Sequence, residues 1–236
     1  MATKILITGA TGFVGSHLIE YLVDKYDDNE FYGTYLSDSS LKNLEVVKNN
    51  INLTKLDLLN EKEVFELIDK IKPNIIFHLA AMASAVESFS SPAESMINNI
   101  QSQINVLEGV RKLNLINSKI LIISSAEIYG DVAKNDLPID ENVNFRPTNP
   151  YAVSKLTQDF LGLQYFLSYN LEIIRVRPFN HIGPRQSPGF VVGAFAKKIV
   201  EIEKGKRKGI LTVGNLEAKR DFTDVRDMVK AYDLAV

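Results

Sequence analysis

The stretch Lys4-Ile5-Leu6-Ile7-Thr8-Gly9-Ala10-Thr11-Gly12-Phe13-Val14-Gly15 decides the fold, because an apolar run passes directly into a glycine-rich turn. The run Lys4 to Thr8 has the length of a buried strand, and a helical pattern follows from Gly15 to Asp24. Glycines in such a turn let a pyrophosphate approach the backbone N–H groups at the start of the helix. The stretch therefore predicts a strand, a nucleotide-binding turn and a helix, in that order.

Short apolar runs alternate with longer helical patterns along the chain. They predict strands at 31–35, 52–56, 75–79, 119–124 and 172–177, and helices at 61–71, 95–113, 150–169 and 191–204. This order predicts an α/β fold with a doubly wound, Rossmann-like parallel sheet. Ligands of such a sheet bind beyond the carboxyl ends of the strands, where the following residues lie: Gly9, Asp57, Leu79, Ser125 and Pro178.

The composition excludes several functional classes. The 236 residues carry a net charge of -2, which gives no reason to expect a nucleic acid or an anionic membrane as partner. The chain has no cysteine, so it has no disulfide, thiolate metal site or cysteine nucleophile. No apolar run reaches the roughly 18 residues of a membrane span, and the N-terminus enters a strand pattern rather than a signal peptide. We expect a cytoplasmic protein.

A tyrosine and a lysine stand four apart in the segment Asn149-Pro150-Tyr151-Ala152-Val153-Ser154-Lys155. Asn149 is a good helix cap and Pro150 suits the first helical position. Spacing four then places Tyr151 and Lys155 on one face, where an ammonium favours a phenolate. The pair is weak evidence by itself, because the same spacing occurs by chance on solvated helices.

Ser125 and Glu127 follow the strand predicted at 119–124. Ser125 is placed to hydrogen-bond a carbonyl oxygen that Tyr151 also contacts, so that two donors stabilise the charge developing there. Glu127 is either a second acid-base group or an exposed loop carboxylate, and spacing favours neither.

The second predicted strand bears on the cofactor. Its tip has neither a carboxylate nor an arginine. Asp38, or the hydroxyls of Ser37 and Ser39, would suit the ribose of NAD, whereas Lys42 would suit the phosphate of NADP. The cofactor is therefore expected to be NADP or NAD.

The order of the glycine turn, Asp57, the segment 78–81, Ser125, Tyr151 and Lys155 resembles the extended short-chain dehydrogenase/reductase family, also called the NAD-dependent epimerase/dehydratase family. The resemblance spans nearly the whole chain and implies an NAD(P)-dependent oxidoreductase acting on nucleotide sugars. It implies that Ser125, Tyr151, Lys155 and Glu127 are catalytic, and that His17 and His78 are packing residues rather than metal ligands. The implied cofactor contacts are Gly9, Thr11, Gly12, Phe13, Val14, Gly15, Asp57, Leu58, Leu79, Ala80, Ala81, Asn99, Tyr151, Lys155 and Pro178, with Asn99 supporting the lysine.

Two later segments, 177–188 and 214–227, bear on the substrate. An asparagine after a strand and an arginine before a helix suit a diphosphate, although Arg220 has Asp221 and Asp224 as alternative partners. Both segments resemble the GDP-sugar branch of the family. This implies a GDP-sugar substrate contacted by Ser125, Asn180, Phe190, Lys197 and Arg220.

The resemblance implies reduction of the C4 ketone of GDP-4-dehydro-6-deoxy-D-mannose, which gives GDP-D-rhamnose. The first alternative is 4,6-dehydration of GDP-mannose, in which a carboxylate such as Glu127 removes a proton from C5. Another nucleotide-sugar epimerase or dehydratase is a further alternative, and a non-catalytic nucleotide-binding protein is a distant one.

We expect a dinucleotide-binding domain at 1–178, with 222–236 packing back on it. Residues 179–221 are expected to form a small, incomplete substrate lobe, because relatives continue beyond position 236. The helices predicted at 95–113 and 150–169 resemble those that pair in family dimers, which implies a homodimer.

Overall fold

Six parallel strands form the central sheet, in the order β3-β2-β1-β4-β5-β6. The computed structural model describes residues 2–236. The strands are β1 (Lys4–Thr8), β2 (Glu30–Tyr35), β3 (Ile51–Lys55), β4 (Ile75–His78), β5 (Lys119–Ile123) and β6 (Ile173–Val176). The direction of the strand order reverses between β1 and β4, and a ligand crevice opens at such a reversal. The predicted doubly wound parallel sheet is confirmed.

Helices cover both faces of this sheet. They are α1 (Phe13–Lys25), α2 (Glu61–Ile71), α3 (Ala85–Ser90), α4 (Pro92–Lys112), α5 (Pro150–Tyr169), α6 (Val191–Glu203) and α7 (Val225–Ala235). α2 and α5 have the predicted bounds, and each begins at a capping asparagine: Asn60 accepts from the N–H of Glu63, and Asn149 from that of Ala152. No helix in residues 2–236 has both the length and the apolar character that a membrane crossing requires.

Two apolar cores lie on opposite faces of the sheet. One packs Ile5 and Ile7 of β1 against α1 and α7, and the other packs Leu6 of β1 against α2, α4 and α5. Alternate residues of one strand thus serve different cores, as the period of two in a strand requires. Strands buried on both faces explain why the β1 and β5 segments are apolar at almost every position.

Several elements were not predicted. A 3-10 helix spans Asp38–Leu44, and the short α3 precedes α4. A second, two-stranded sheet also follows Pro178, in which β7 (Asn180–Ile182) pairs in parallel with β8 (Phe222–Asp224). A strand of three residues shows no periodicity, so its pairing across about forty residues of chain leaves no sequence signal.

The last helix packs on the first. Val225, Val229 and Tyr232 of α7 are buried in the core that α1 shares. Asp233 accepts hydrogen bonds from Lys25 Nζ at 2.6 Å and from the Tyr26 hydroxyl at 3.2 Å. α6, by contrast, buries none of its residues.

A buried carboxylate joins α5 to β6. Asp159 is fully buried, and it is held by the guanidinium groups of Arg175 and Arg177, with Arg177 Nε 2.8 Å from Asp159 Oδ2. Arg177 also donates to the Tyr129 hydroxyl at 3.0 Å and stacks over Phe145 at 4.8 Å. The negative charge of Asp159 thus holds the two arginine side chains together in a site that is partly shielded from water.

We predict that Asp159→Asn lowers the free energy of unfolding by about 3 kcal/mol, because it leaves two adjacent guanidinium groups without their counter-charge. Urea denaturation at pH 7 measures the loss. Asp227→Asn is the matched control, since the exposed pair of Asp227 with Lys230 is worth less than about 1 kcal/mol. Equal losses in the two variants would contradict the prediction.

Candidate active site

The glycine turn is packed too tightly for any larger residue at two positions. Gly9 has a positive φ of 68°, and a Cβ there would lie 3.0 Å from the backbone of Ala80 at the end of β4. A Cβ on Gly15 would lie 2.3 Å from the carbonyl oxygen of Gly9. The turn can therefore close only with glycine at these positions.

The start of α1 presents unused backbone donors at this turn. Its N-cap is Gly12, and no side chain accepts from the first N–H groups of the helix. Donors of this kind at a helix N-terminus bind a phosphate group. The glycine cradle and the uncapped helix start thus fit the pyrophosphate of a dinucleotide.

The other predicted cofactor residues lie along the carboxyl edge of the sheet. Leu58 is buried, whereas Asp57 is exposed and accepts from the N–H of Leu59 at 3.0 Å. Ala80 donates its N–H to the Thr8 hydroxyl at 3.2 Å. The half-buried members of the set are Phe13, Val14, Leu79, Ala80, Ala81 and Pro178.

The tip of β2 is organised by hydroxyl groups. Thr11 Oγ1 lies 2.6 Å from Ser40 Oγ, and the Ser37 and Ser39 hydroxyls lie 2.9 Å apart. Asp38, a candidate for the ribose of NAD, is paired at 2.6 Å with Lys55. Lys42, the candidate for a 2′-phosphate, is exposed on the same 3-10 helix.

Ser125, Glu127 and Tyr151 meet between the end of β5 and the start of α5. The Ser125 hydroxyl accepts from the N–H of Glu127 at 3.2 Å and lies close enough to Tyr151 to lower the pKa of its phenol in part. The Glu127 carboxylate accepts from Asn149 Nδ2 at 3.2 Å and is close enough to raise the pKa of Tyr151. Glu127 is half-buried and held in place, so it is not a free loop carboxylate.

Burial dominates the pKa values of both Tyr151 and Lys155. It raises the pKa of Tyr151 to about 12, although the nearby Ser125 hydroxyl lowers it in part. Burial also lowers the pKa of Lys155 to about 7, and the predicted stabilisation of the phenolate by the lysine charge stays a prediction. Lys155 Nζ lies 5.9 Å from the centre of the Tyr151 ring and donates to the carbonyl of Ile123 at 2.9 Å.

Asn99 makes no direct hydrogen bond to Lys155, and its implied support of the lysine stays a prediction. Its buried side chain accepts from the N–H of Met82 at 2.7 Å and donates to the Ser154 hydroxyl at 2.9 Å. The Asn99 carbonyl accepts from Gln158 at 2.8 Å. Asn99 therefore joins α4 to the residue before Lys155 and to the segment after β4.

The two predicted packing histidines are buried, and each has a polar partner. His78 Nδ1 lies 2.9 Å from the Thr8 hydroxyl, and burial lowers its pKa to about 3. His17 Nε2 lies 3.0 Å from the carbonyl oxygen of Pro184. Within residues 2–236, no group of three or more histidine, aspartate or glutamate side chains is arranged to hold a metal ion.

The predicted substrate residues occupy the second, two-stranded sheet and α6. Asn180 donates through its backbone N–H and its side chain to the carbonyl of Asp221, both at 3.2 Å, which brings it beside Arg220. Arg220 is exposed, and Asp224 pairs with Arg226 instead, so the alternative ion pair with Asp224 is not formed. Phe190 caps α6 and is 40% exposed, while Lys197 faces Glu201 at 3.9 Å.

Sequence reasoning missed Ser88, which accepts from the N–H of Tyr151 at 3.1 Å. This bond satisfies one of the unpaired donors in the first turn of α5. Ser88 belongs to α3, a helix too short to be predicted, so nothing in the sequence pointed to it.

Comparison with known proteins places this arrangement in a family. The family described as GDP-mannose 4,6 dehydratase matches residues 6–236. The chain belongs to that family. Its sequence is 34% identical to GDP-6-deoxy-D-mannose reductase of Pseudomonas aeruginosa over 98% of this chain and 70% of that protein. It is 30% identical to human GDP-mannose 4,6 dehydratase over 96% of this chain and 62% of that protein.

Solved structures of other members of the NAD-dependent epimerase/dehydratase family share the fold. RMD from Pseudomonas aeruginosa, complexed with NADPH, matches with a TM-score of 0.81 and 32% identity over 98% of this chain and 71% of that one. UDP-glucose 4-epimerase from Thermus thermophilus, in complex with NAD, matches with a TM-score of 0.83 and 28% identity over 99% of this chain and 74% of that one. The predicted extended short-chain dehydrogenase/reductase family, with NADP or NAD as its cofactor, is confirmed. The predicted class, an NAD(P)-dependent nucleotide-sugar oxidoreductase, is confirmed at the level of this family.

We predict that Gly15→Ala weakens NADPH binding at least about tenfold, because the methyl group must displace the Gly9 carbonyl and the start of α1 with it. Fluorescence titration of NADPH measures the dissociation constant. Gly209→Ala is the control, since no atom lies within 4 Å of the added carbon. An unchanged affinity in Gly15→Ala would show that the cofactor does not bind at this turn.

Proposed function

We propose that this protein reduces the C4 ketone of GDP-4-dehydro-6-deoxy-D-mannose to give GDP-D-rhamnose. The observation that carries the proposal is the grouping of Ser125 and Tyr151 at the carboxyl edge of the sheet, close enough for Ser125 to affect the pKa of the phenol, with Lys155 buried beside them. The 34% identity to a GDP-6-deoxy-D-mannose reductase supports this reaction among those of the family.

Tyr151 is the proposed proton donor to the ketone oxygen. A ketone that accepts hydride develops negative charge on its oxygen, and a nearby phenol can both hydrogen-bond that oxygen and protonate it. The raised pKa keeps Tyr151 protonated before the reaction, which is the state that reduction requires. Ser125, which lies beside the same phenol, is proposed as the second donor, which orients the ketone.

Lys155 is proposed to assist Tyr151 and the cofactor. Its pKa of about 7 leaves it able to gain or lose a proton near neutrality, and it is anchored by the carbonyl of Ile123. In this position it can hold the nicotinamide ribose and stabilise the phenolate that Tyr151 becomes. NADPH or NADH, held by the glycine turn and the edge from Leu79 to Ala81, supplies the hydride.

The substrate is proposed to lie between the two sheets. Residues 1–178 would bind the dinucleotide, with 222–236 packed on them, and residues 179–221 would form the substrate lobe. Asn180 and Arg220 are adjacent in space through Asp221 and are proposed to bind the diphosphate. Phe190 and Lys197 at α6 are proposed to shape the guanosine end.

The expected homodimer stays a prediction. The apolar side chains that support it are exposed on α4 and α5: Ile97 is 59% exposed, Phe160 48% and Phe166 51%. Pairing of these helices in two chains would remove this apolar area from water.

A 4,6-dehydratase is the second candidate, because Glu127 is fixed beside Tyr151 rather than free in a loop. A dehydratase needs a carboxylate to remove a proton from C5, and it returns the hydride to its product. Tyr151 would then have to start as a base, which its raised pKa opposes. The two reactions differ in whether reduced cofactor is consumed.

We predict that Tyr151→Phe lowers turnover about 10²- to 10⁴-fold, because the variant lacks the proton donor. The dissociation constant of NADPH should change little, since the ring and the start of α5 stay in place. Steady-state assays and fluorescence titration measure the two quantities. Tyr169→Phe, at the exposed end of α5, is the control. Full activity in Tyr151→Phe would exclude the proposed mechanism.

Glu127→Gln separates the two candidate reactions. We predict that it lowers reduction of the 4-keto sugar less than about tenfold, because reduction needs only the proton of Tyr151, while it would abolish dehydration. The measurement follows NADPH and both GDP-sugars in one assay. Stoichiometric loss of NADPH with the 4-keto sugar is expected. Conversion of GDP-mannose without net change of cofactor, lost in Glu127→Gln, would instead establish the dehydratase.

A further inference from the structure

Arg185 joins three parts of the chain that are distant in sequence. Its guanidinium makes a two-fold contact with Glu20 of α1, Nη1 to Oε1 at 2.7 Å and Nη2 to Oε2 at 2.6 Å. It also donates to the carbonyl of Asn43, in the 3-10 helix after β2, at 2.9 Å, and to His17 Nδ1 at 2.7 Å. Arg185 itself follows β7, at the entry to the proposed substrate lobe.

The backbone around Arg185 is held in a conformation that an arginine disfavours. Its φ is +70°, in the left-handed region that residues with a side chain rarely adopt. The preceding carbonyl, that of Pro184, lies 3.0 Å from His17 Nε2. With His17 Nε2 as the donor to Pro184, Nδ1 is free to accept from Arg185, so one neutral imidazole holds both residues. Burial and the charge of Arg185 lower the pKa of His17, which favours this neutral form.

A second link leads from Arg185 to the glycine turn. The side chain of Asn43, whose carbonyl Arg185 binds, donates to the carbonyl of Thr11 at 2.9 Å. Thr11 stands between Gly9 and Gly12, where the pyrophosphate is proposed to bind. The backbone from Gly183 to Gln186 is thereby connected to the cofactor turn through two consecutive hydrogen bonds.

The same segment leads into the substrate lobe. Gln186 donates to the carbonyl of His181 at 2.7 Å, and the carbonyl of Ser187 accepts from the N–H of Phe190 at 3.0 Å. Phe190 then begins α6. We expect a conformational change in the turn at Arg185 to reach the start of α6, because these hydrogen bonds link the two segments.

We propose that Arg185 is a positioning residue that couples cofactor binding at the glycine turn to nucleotide binding by the substrate lobe. The inference rests on the function proposed above. Cofactor binding that orders Thr11 and Asn43 also fixes the Asn43 carbonyl that Arg185 binds. The segment before Phe190 is then already partly ordered, so the second ligand loses less conformational entropy when it binds. By thermodynamic linkage, the nucleotide then strengthens cofactor binding by the same factor.

Calorimetric titration of GDP, with and without saturating NADPH, tests the coupling in the whole chain. In the unsubstituted protein, NADPH should lower the dissociation constant of GDP at least about fivefold. In Arg185→Gln, the ratio of the GDP dissociation constants without and with NADPH should fall to about one. Arg185→Lys keeps the charge opposite Glu20 but not the planar fork, so it should retain only part of the ratio. Arg226→Gln, an exposed arginine paired with Asp224, is the control and should keep the full ratio.

A second variant separates coupling from simple support of the fold. Asn43→Ala leaves the ion pair of Arg185 with Glu20 intact but removes the bond to Thr11, so it should also abolish the ratio. Two results would overturn this inference and leave the proposed function standing. One is an undiminished ratio in Arg185→Gln or Asn43→Ala, and the other is the absence of coupling in a protein that binds both ligands. Failure of the unsubstituted protein to bind GDP would overturn the proposed function, and the inference with it.

Discussion

The contact between the glycine turn and the end of β4 is the constraint on which the active edge of the sheet depends. A Cβ on Gly9 would lie 3.0 Å from the backbone of Ala80, and a Cβ on Gly15 would lie 2.3 Å from the carbonyl oxygen of Gly9. This packing sets the height of α1 above the sheet and leaves its first N–H groups unbonded. The end of β4, the start of α1 and the tip of β2 are thereby held around one crevice, and the residues of β5 and α5 complete it.

Desolvation, rather than the proximity of opposite charges, dominates the pKa values of Tyr151 and Lys155, the proposed catalytic pair. The two residues lie on one face of α5, as the spacing of four predicted; Lys155 is buried and Tyr151 is half-buried. Burial disfavours the charged form of each, so it raises the pKa of the phenol and lowers that of the amine. The hydrogen bond to the carbonyl of Ile123 then fixes the direction of the Lys155 amine.

The sequence predicted the sheet well, because long apolar runs and capped helices are local signals. Asn149 caps α5 as predicted, and α2 begins at the predicted Glu61, whereas α1 begins at Phe13 and not at the predicted Gly15. The contacts around Arg185 had no such signal, since Glu20 is 165 positions away. The three-residue strands β7 and β8 were missed for the same reason. The pKa of Tyr151 could not be inferred from the sequence, because spacing shows which side chains share a face but not how far that face is shielded from water.

The two arginines that hold Asp159 have a consequence for the lysine one turn earlier. Asp159 is four residues after Lys155 on α5, the spacing at which a carboxylate ordinarily supports an ammonium. Arg175 and Arg177 occupy that carboxylate instead, and burial alone then sets the low pKa of Lys155. Arg175 of β6 and Arg177 just after it therefore keep Asp159 paired with arginine, and no carboxylate on α5 offsets the burial of the amine beside Tyr151.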